Sequence, residues 1–496
     1  MAGLKSLVKD TAVYGLSSIV GRFLNYLLVP LYTAKISASS GGYGVVTNLY
    51  AYTALILVIL TFGMETTLFR FANKEGENPD TVFSTAMAVV TGLSVVFLGA
   101  VFGFIGPIGE VLGYADRHSY VLMMATVVAL DAIQALPFCY LRFRKRPIRF
   151  ASLKLLFIVL NIGINVWYFM VLGKNDVFYV FAINLVCTAL VTFFFIPDFI
   201  HIKWSFDGIL LKRMLRYSWP ILVLGIAGIL NQTADKIIYP YVKPDLQGEV
   251  ELGIYGACVK IAMIMAMITQ AFRYAYEPFV FGKAKDGDSR TVYAQAMKYF
   301  VIFTLLAFLV VTAYLDILKF VVGKDYWEGL KAVPVVMAAE ILMGVYFNLS
   351  FWYKLVDKTI WGLWFSGAGC FVLIAINIIF IPHYGYMACA WGGVAGYATA
   401  MLLSYFVGQR KYPIRYPLAS IGVYVVITAA FTAVMLLLPQ GWPLAVRLGI
   451  NTIFVLLFVA HVLYHDLPVG SLPLIGKHFT RKERGGRHKS KSLIRS

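Results

Sequence analysis

The sequence predicts an all-α integral membrane protein of about 14 transmembrane helices, arranged as two six-helix lobes followed by two further helices. Three observations predict this. Of the 496 residues, 60% are hydrophobic and 14% charged, too little polar surface for a soluble globule of this size. Apolar runs of about 20 residues, the length that crosses a hydrocarbon core as helix, recur from one end to the other. The basic residues gather between alternate runs.

In chain order the first six runs lie at about 11–34, 42–66, 81–106, 118–140, 151–172 and 177–197. The next six lie at about 215–241, 250–272, 291–314, 332–353, 359–381 and 384–407, and two more follow at about 416–438 and 443–464. The domains expected are 1–199 for the first lobe, 200–214 for a polar, basic cytoplasmic linker and 215–408 for the second lobe. Residues 409–465 hold the last two helices, and 466–496 form a basic cytoplasmic tail.

With the N-terminus inside, roughly 32 of the 43 Lys and Arg fall in inner segments and about 7 in outer ones. The other cations, Arg22, Lys236, Lys260 and Arg447, fall within runs. This bias places both termini in the cytoplasm. The net charge of +18 therefore reports topology, and nucleic acid is not an expected partner. The opening MAGLKSLVKD is short and basic, and the full-length apolar run behind it reads as a retained first helix. The tail KHFTRKERGGRHKSKSLIRS is either a topology anchor or a contact for anionic lipid head groups.

Cys139, Cys187, Cys258, Cys370 and Cys389 sit in or beside apolar runs without metal-type spacing, and read as small packing residues. The chain has no GxxxxGK[ST] phosphate loop and no HExxH, so ATP hydrolysis and zinc chemistry have no handle in it. Asp286-Gly-Asp288 reads as a flexible loop, and His461 with His465 as an interfacial pair at the end of the last run.

The polar residues at membrane depth carry the functional expectation. Arg22 lies near the middle of TAVYGLSSIVGRFLNYLLVPLYTA, and a guanidinium keeps its charge there at a cost of at least about 2.5–3.5 kcal/mol. It faces a wet cavity and an anion, or it is tied to a neighbouring helix. Lys260, Lys236 and, nearer an inner end, Arg273 join it as candidate cavity cations. Asp131, Asp235 and Glu340 are candidates for coupling-ion binding or gating, because a carboxylate at depth carries a proton, ligates sodium or pairs with a cation. Asp235 and Lys236 are neighbours in sequence and point about 100° apart on a helix, so pairing between them is not assumed. Pro30, Pro137, Pro220 and Pro334 supply points of bending. The two halves also echo one another: Tyr43-Gly44 opens the second run and Tyr255-Gly256 the eighth, as in a parallel repeat.

The segments LVKDTAVYGLSSIVGRFLNYLLVPLYT, YGVVTNLYAY, FGMETTLFRF, NQTADKIIYPYV, LGIYGACVKIA and EPFVFGKA resemble bacterial polysaccharide flippases of the MOP exporter superfamily. The resemblance runs through most of the first 400 residues. It implies two six-helix lobes about a cationic cavity, alternating access, and transfer of undecaprenyl-diphosphate-linked oligosaccharide from the cytoplasmic to the periplasmic leaflet of the inner membrane. Lipopolysaccharide and O-antigen assembly are the processes implied, with the lipid-linked oligosaccharide, membrane lipids and other polysaccharide-assembly proteins as partners. No cofactor is implied beyond Na+ or H+ as coupling ion. Arg22 and Lys260 are the positions onto which the cavity role carries, and Asp235-Lys236 stands where the family often has Asp-Arg. The alternatives are a flippase for the peptidoglycan precursor, a cation-coupled drug antiporter of the MATE type, and a membrane polymerase or ligase. The deep cations argue against the antiporter, and the short external loops against the enzyme.

Overall fold

The computed structural model describes residues 28–200, 204–283, 289–356, 358–439 and 441–466, and no strand occurs among them. Arg22 and most of the first run, Asp286, Asp288 and the basic tail lie outside the described residues.

The helices in order are α1 Leu28–Lys35, α2 Gly42–Thr61, α3 Met64–Ala72, α4 Pro79–Gly103, α5 His118–Phe143, α6 Pro147–Val166, α7 Phe178–Phe194 and α8 Gly208–Val242. They continue as α9 Leu246–Lys283, α10 Ser289–Ala313, α11 Val333–Leu349, α12 Ile360–Tyr384, α13 Tyr386–Lys411, α14 Leu418–Leu437 and α15 Leu444–His465. Twelve spans among the described residues are long and apolar enough to cross a membrane, and α7 is a shorter apolar helix. These match thirteen of the roughly 14 expected runs, and the first run, whose last residues fall in α1, lies mostly outside the described residues. The chain is a multi-pass membrane protein.

Local chemistry sets the ends. Asn78 accepts the Asp80 N–H ahead of Pro79 in the first turn of α4, and Asp207 accepts the Ile209 and Leu210 N–H groups to start α8. The run at 42–66 does not form one straight helix. Phe62 at φ 51° and Gly63 at φ 68° take the left-handed conformation, breaking it into α2 and α3. A Cβ on Gly63 would stand 3.1 Å from the Ser218 carbonyl oxygen, so the break lies against α8 close to Pro220. Pro137 lies inside α5 and Pro220 inside α8, where each removes a backbone donor. Pro334 falls instead in the first turn of α11, where its missing N–H costs no helical bond.

The chain divides into two compact units, Met1–Ile264 with Lys319–Tyr412, and Met265–Leu318 with Pro413–Ser496. In the first, a core of Leu60, Met64, Leu68, Phe83, Leu136 and Met214 joins α2, α3, α4, α5 and α8. In the second, α10 packs against α14 and α15. His461 and His465 sit 4.5 Å apart by ring centroids, with Tyr424 on His461.

Candidate functional site

Within the first unit, α8, α9 and α11 bring together a group of charged and phenolic side chains at membrane depth. The Asp235 carboxylate is buried and receives the Lys236 ammonium at 2.9 and 3.0 Å. The same ammonium donates to the Gln232 carbonyl at 3.0 Å, and the Tyr255 hydroxyl donates to Asp235 at 2.9 Å. Asp235 and Lys236 therefore do pair, although they start about 100° apart on the helix. The reason is reach: the four-carbon lysine stem folds back along its own helix, and low dielectric favours the contact.

Asn48 on α2 donates to the Lys236 carbonyl at 2.7 Å and accepts from Tyr114 at 2.8 Å, which fixes this turn of α8 against α2. Lys260, half-buried on α9, lies within electrostatic reach of Lys236, as does Glu340 on α11. The Oε2 atom of Glu340 is buried without a hydrogen-bond partner, while Tyr255 and Tyr397 lie close enough to feel its charge. Asp235, Lys236, Lys260 and Glu340 thus form a charge-balanced group. Arg273 lies farther along α9 in the second unit and is half-buried there.

Asp131 belongs to a different group. It is half-buried on α5, and the cation that acts on it is Lys154 of α6. Lys154 stands at the start of the run 151–172, just behind the inner cluster that ends at Arg149, and its ammonium sits 3.8 Å from the centre of the Phe138 ring. Glu65 and Arg142 complete the group, 3.6 Å apart. Only the apolar residues either side of Lys154 (LKLLF) hint in the sequence at this placement.

At the end of the first unit where α2, α5 and α9 start, the two echoing motifs touch. A Cβ on Gly44 would lie 1.9 Å from the Glu249 carbonyl oxygen, and one on Gly253 would lie 2.9 Å from the Gly44 nitrogen. Only glycine permits backbones so close. Arg117 reaches Glu249 at 3.1 Å across the same contact, and Tyr326 donates to the Ile36 carbonyl at 2.8 Å. A cavity of about 320 Å³ beside Arg117, lined also by Ser40, Tyr120, Asn175 and Asp176, contains none of the expected site residues.

The sequence profile of the family described as Polysaccharide biosynthesis protein matches residues 7–275. No curated protein matches the sequence. Among solved structures, the chain is similar to one described as lipid II flippase MurJ in an inward closed conformation. That likeness has a TM-score of 0.71 at 14% identity and covers 91% of this chain and 98% of the other. It is also similar to an inward-facing multidrug resistance MATE family transporter of the MOP superfamily, with a TM-score of 0.63 at 15% identity over 84% of this chain and 99% of that one. A third similar structure, the MATE multidrug transporter DinF-BH, has a TM-score of 0.59 at 17% identity over 82% of this chain and 96% of that one.

Proposed function

The chain belongs to the polysaccharide biosynthesis protein family and has the fold of MOP-superfamily flippases and transporters, and on that premise we propose that its cargo is an undecaprenyl-diphosphate-linked oligosaccharide. The protein carries it from the cytoplasmic to the periplasmic leaflet of the bacterial inner membrane, with both termini cytoplasmic, for lipopolysaccharide or O-antigen assembly. The lobes 1–199 and 215–408 alternate in access, and 409–465 and the tail 466–496 are accessory to them.

The observation that carries this reading is Lys236 with Lys260 inside membrane-spanning helices, within reach of one another. A diphosphate needs cations at depth, a glycan needs a wet path, and a polyprenyl tail stays in lipid. Arg22, which lies outside the described residues, and Arg273 are the further cations of this reading, with Arg273 receiving the head group nearer the inner face. The close packing where α2 and α9 start suits a state that loads from the opposite side. Asp235 is occupied by Lys236 and Tyr255, which leaves Glu340 and Asp131 as the carboxylates free to take a coupling ion.

Deleting the protein and measuring which lipid-linked precursor collects in the cytoplasmic leaflet tests the proposal. Accumulation of the undecaprenyl-diphosphate oligosaccharide supports it, and accumulation of the peptidoglycan precursor alone overturns it. Arg22→Ala is expected to abolish export with the protein still in the membrane, and Arg22→Lys to restore part of it.

A further inference from the structure

Asp131, Phe138 and Arg142 fall on one stripe of α5, at i, i+7 and i+11, so about 16 Å of helix separates the first from the last. The Lys154 ammonium rests on the Phe138 ring between them, at 3.8 Å from its centre. Asp131 lies on one side of it, and the Arg142–Glu65 pair on the other. Among the described residues Lys154 has no hydrogen-bond acceptor and no carboxylate within ion-pair distance. An ammonium at membrane depth held only by an aromatic face is free to turn either way along the stripe.

The charges around it are few. Tyr50 faces Asp131 from α2, with its oxygen accepting from Asn184 of α7 at 2.6 Å. Glu65 of α3 and Arg142 of α5 face Lys154, and no charged side chain of α4 or α7 is among the groups acting on Asp131 or Lys154. Two carboxylates thus balance two cations.

We propose that Lys154 is the carrier of a proton-transfer site that links Glu65, at the inner end of α5, to Asp131 at mid-membrane. This deepens the transporter reading and rests on it. In the transfer an N–H bond of the Lys154 ammonium breaks, its electron pair stays on Nζ, and the proton bonds to a carboxylate oxygen of Asp131. A proton from the cytoplasmic side then bonds to the Glu65 carboxylate, and its O–H passes that proton to the neutral Lys154 amine, which restores the ammonium and the Glu65 carboxylate. In a low dielectric the neutral amine and acid replace an ion pair without leaving a bare charge.

The chemistry selects a proton over a metal cation. A hard cation gathers several oxygen ligands, whereas these carboxylates already flank an ammonium, and no three His, Cys, Asp or Glu side chains among the described residues are grouped to hold a metal. Arg142 cannot serve as the carrier, because a guanidinium does not release its proton. It instead holds Glu65 at the inner end.

The test is infrared difference spectroscopy of the full-length protein in lipid vesicles, titrated from about pH 8 to about pH 5 without cargo. The protonated-carboxyl band is expected to lose one component in Asp131→Asn, and that component's midpoint to move by about one pH unit in Lys154→Met. Lys154→Arg keeps the charge, and is expected to keep the component while proton uptake, read by a pH dye inside the vesicles, falls at least about tenfold. A band unchanged in Asp131→Asn, or a midpoint unmoved in Lys154→Met, overturns the proposal, as does full proton uptake in Lys154→Arg. Asp131→Asn and Lys154→Arg are near in shape to the parent, so helicity by circular dichroism separates misfolding from loss of the site. Because no cargo is present, failure of the flippase reading leaves this titration unchanged. Loss of lipid movement with the titration intact counts against that reading alone.

Discussion

Arg447 Nη2 and Asp316 Oδ2 lie 2.5 Å apart at one end of α15, and at its other end Asp466 accepts from Lys298 and Tyr424. The steps from Lys298 to Asp316 and from Arg447 to Asp466 each cover roughly 27 to 29 Å at helical rise, close to the roughly 30 Å of a hydrocarbon core. The two antiparallel helices are therefore clamped by reciprocal ion pairs one membrane thickness apart. Sliding α15 by one turn against α10 breaks both pairs at once. Asp316→Asn leaves the half-buried Arg447 charge without its ion pair and is expected to cost about 1–3 kcal/mol. Thermal unfolding in detergent measures it, and the double exchange Asp316→Arg with Arg447→Asp is expected to recover part of the loss.

The clamp at Asp466 carries a pH signature. Burial acts to raise the Asp466 carboxyl, but the bonds from Lys298 and Tyr424 outweigh it and hold the group below the ordinary carboxylate value. A depressed folded value gives stability that is complete above the unfolded value near about 3.9 and is lost as pH falls through the folded one. Unfolding midpoints are thus expected to fall below about pH 4, and Asp466→Asn to flatten that acid limb.

Glu340 offers a test that separates stability from transport. Glu340→Gln keeps the shape of the side chain but removes one of the two carboxylates that balance Lys236 and Lys260, and is expected to cost about 1–3 kcal/mol in thermal unfolding. If the carboxylate takes part in coupling, the same variant loses export at least about tenfold. Export at the parent level in the destabilised but folded variant assigns Glu340 a structural role.

The glycine contact predicts a conformational effect. Gly44→Ala drives a methyl into the Glu249 carbonyl, which stands 1.9 Å from the ideal Cβ, and forces α2 from α9 at a cost of about 1–3 kcal/mol. A cysteine placed at Thr47, beside Gly256, is expected to react faster with a water-soluble thiol reagent in the Gly44→Ala background. Arg117→Ala, at the exposed rim of the same contact, is expected to change that rate much less.

Hydropathy made the helices legible because a lipid-crossing segment advertises its length and its apolar faces. The runs at 118–140, 416–438 and 443–464 match α5, α14 and α15 to within a few residues. What it could not convey was which side chains meet across helices. The Phe62–Gly63 break is invisible in an unbroken apolar run, since it depends on a left-handed turn seated against α8. Lys154 gives no sign in the sequence of its partner, because its surroundings are set by where α6 packs on Phe138. The Asp235–Lys236 pair depends on a side chain bending back along its own helix, which residue spacing does not encode. Asp131, Asp235, Lys236, Lys260 and Glu340 were legible as polar residues at depth, but their sorting into two balanced groups required the packing.

The account depends most on deep positive charge conducting a diphosphate head group across the membrane. The direct measurement is transfer of fluorescent undecaprenyl-diphosphate oligosaccharide between the leaflets of vesicles holding the parent protein or Lys260→Ala, followed by quenching of the exposed dye. The account predicts rapid transfer with the parent and at least about a tenfold loss with Lys260→Ala. Equal transfer by both proteins, or none above protein-free vesicles with the parent, would contradict it.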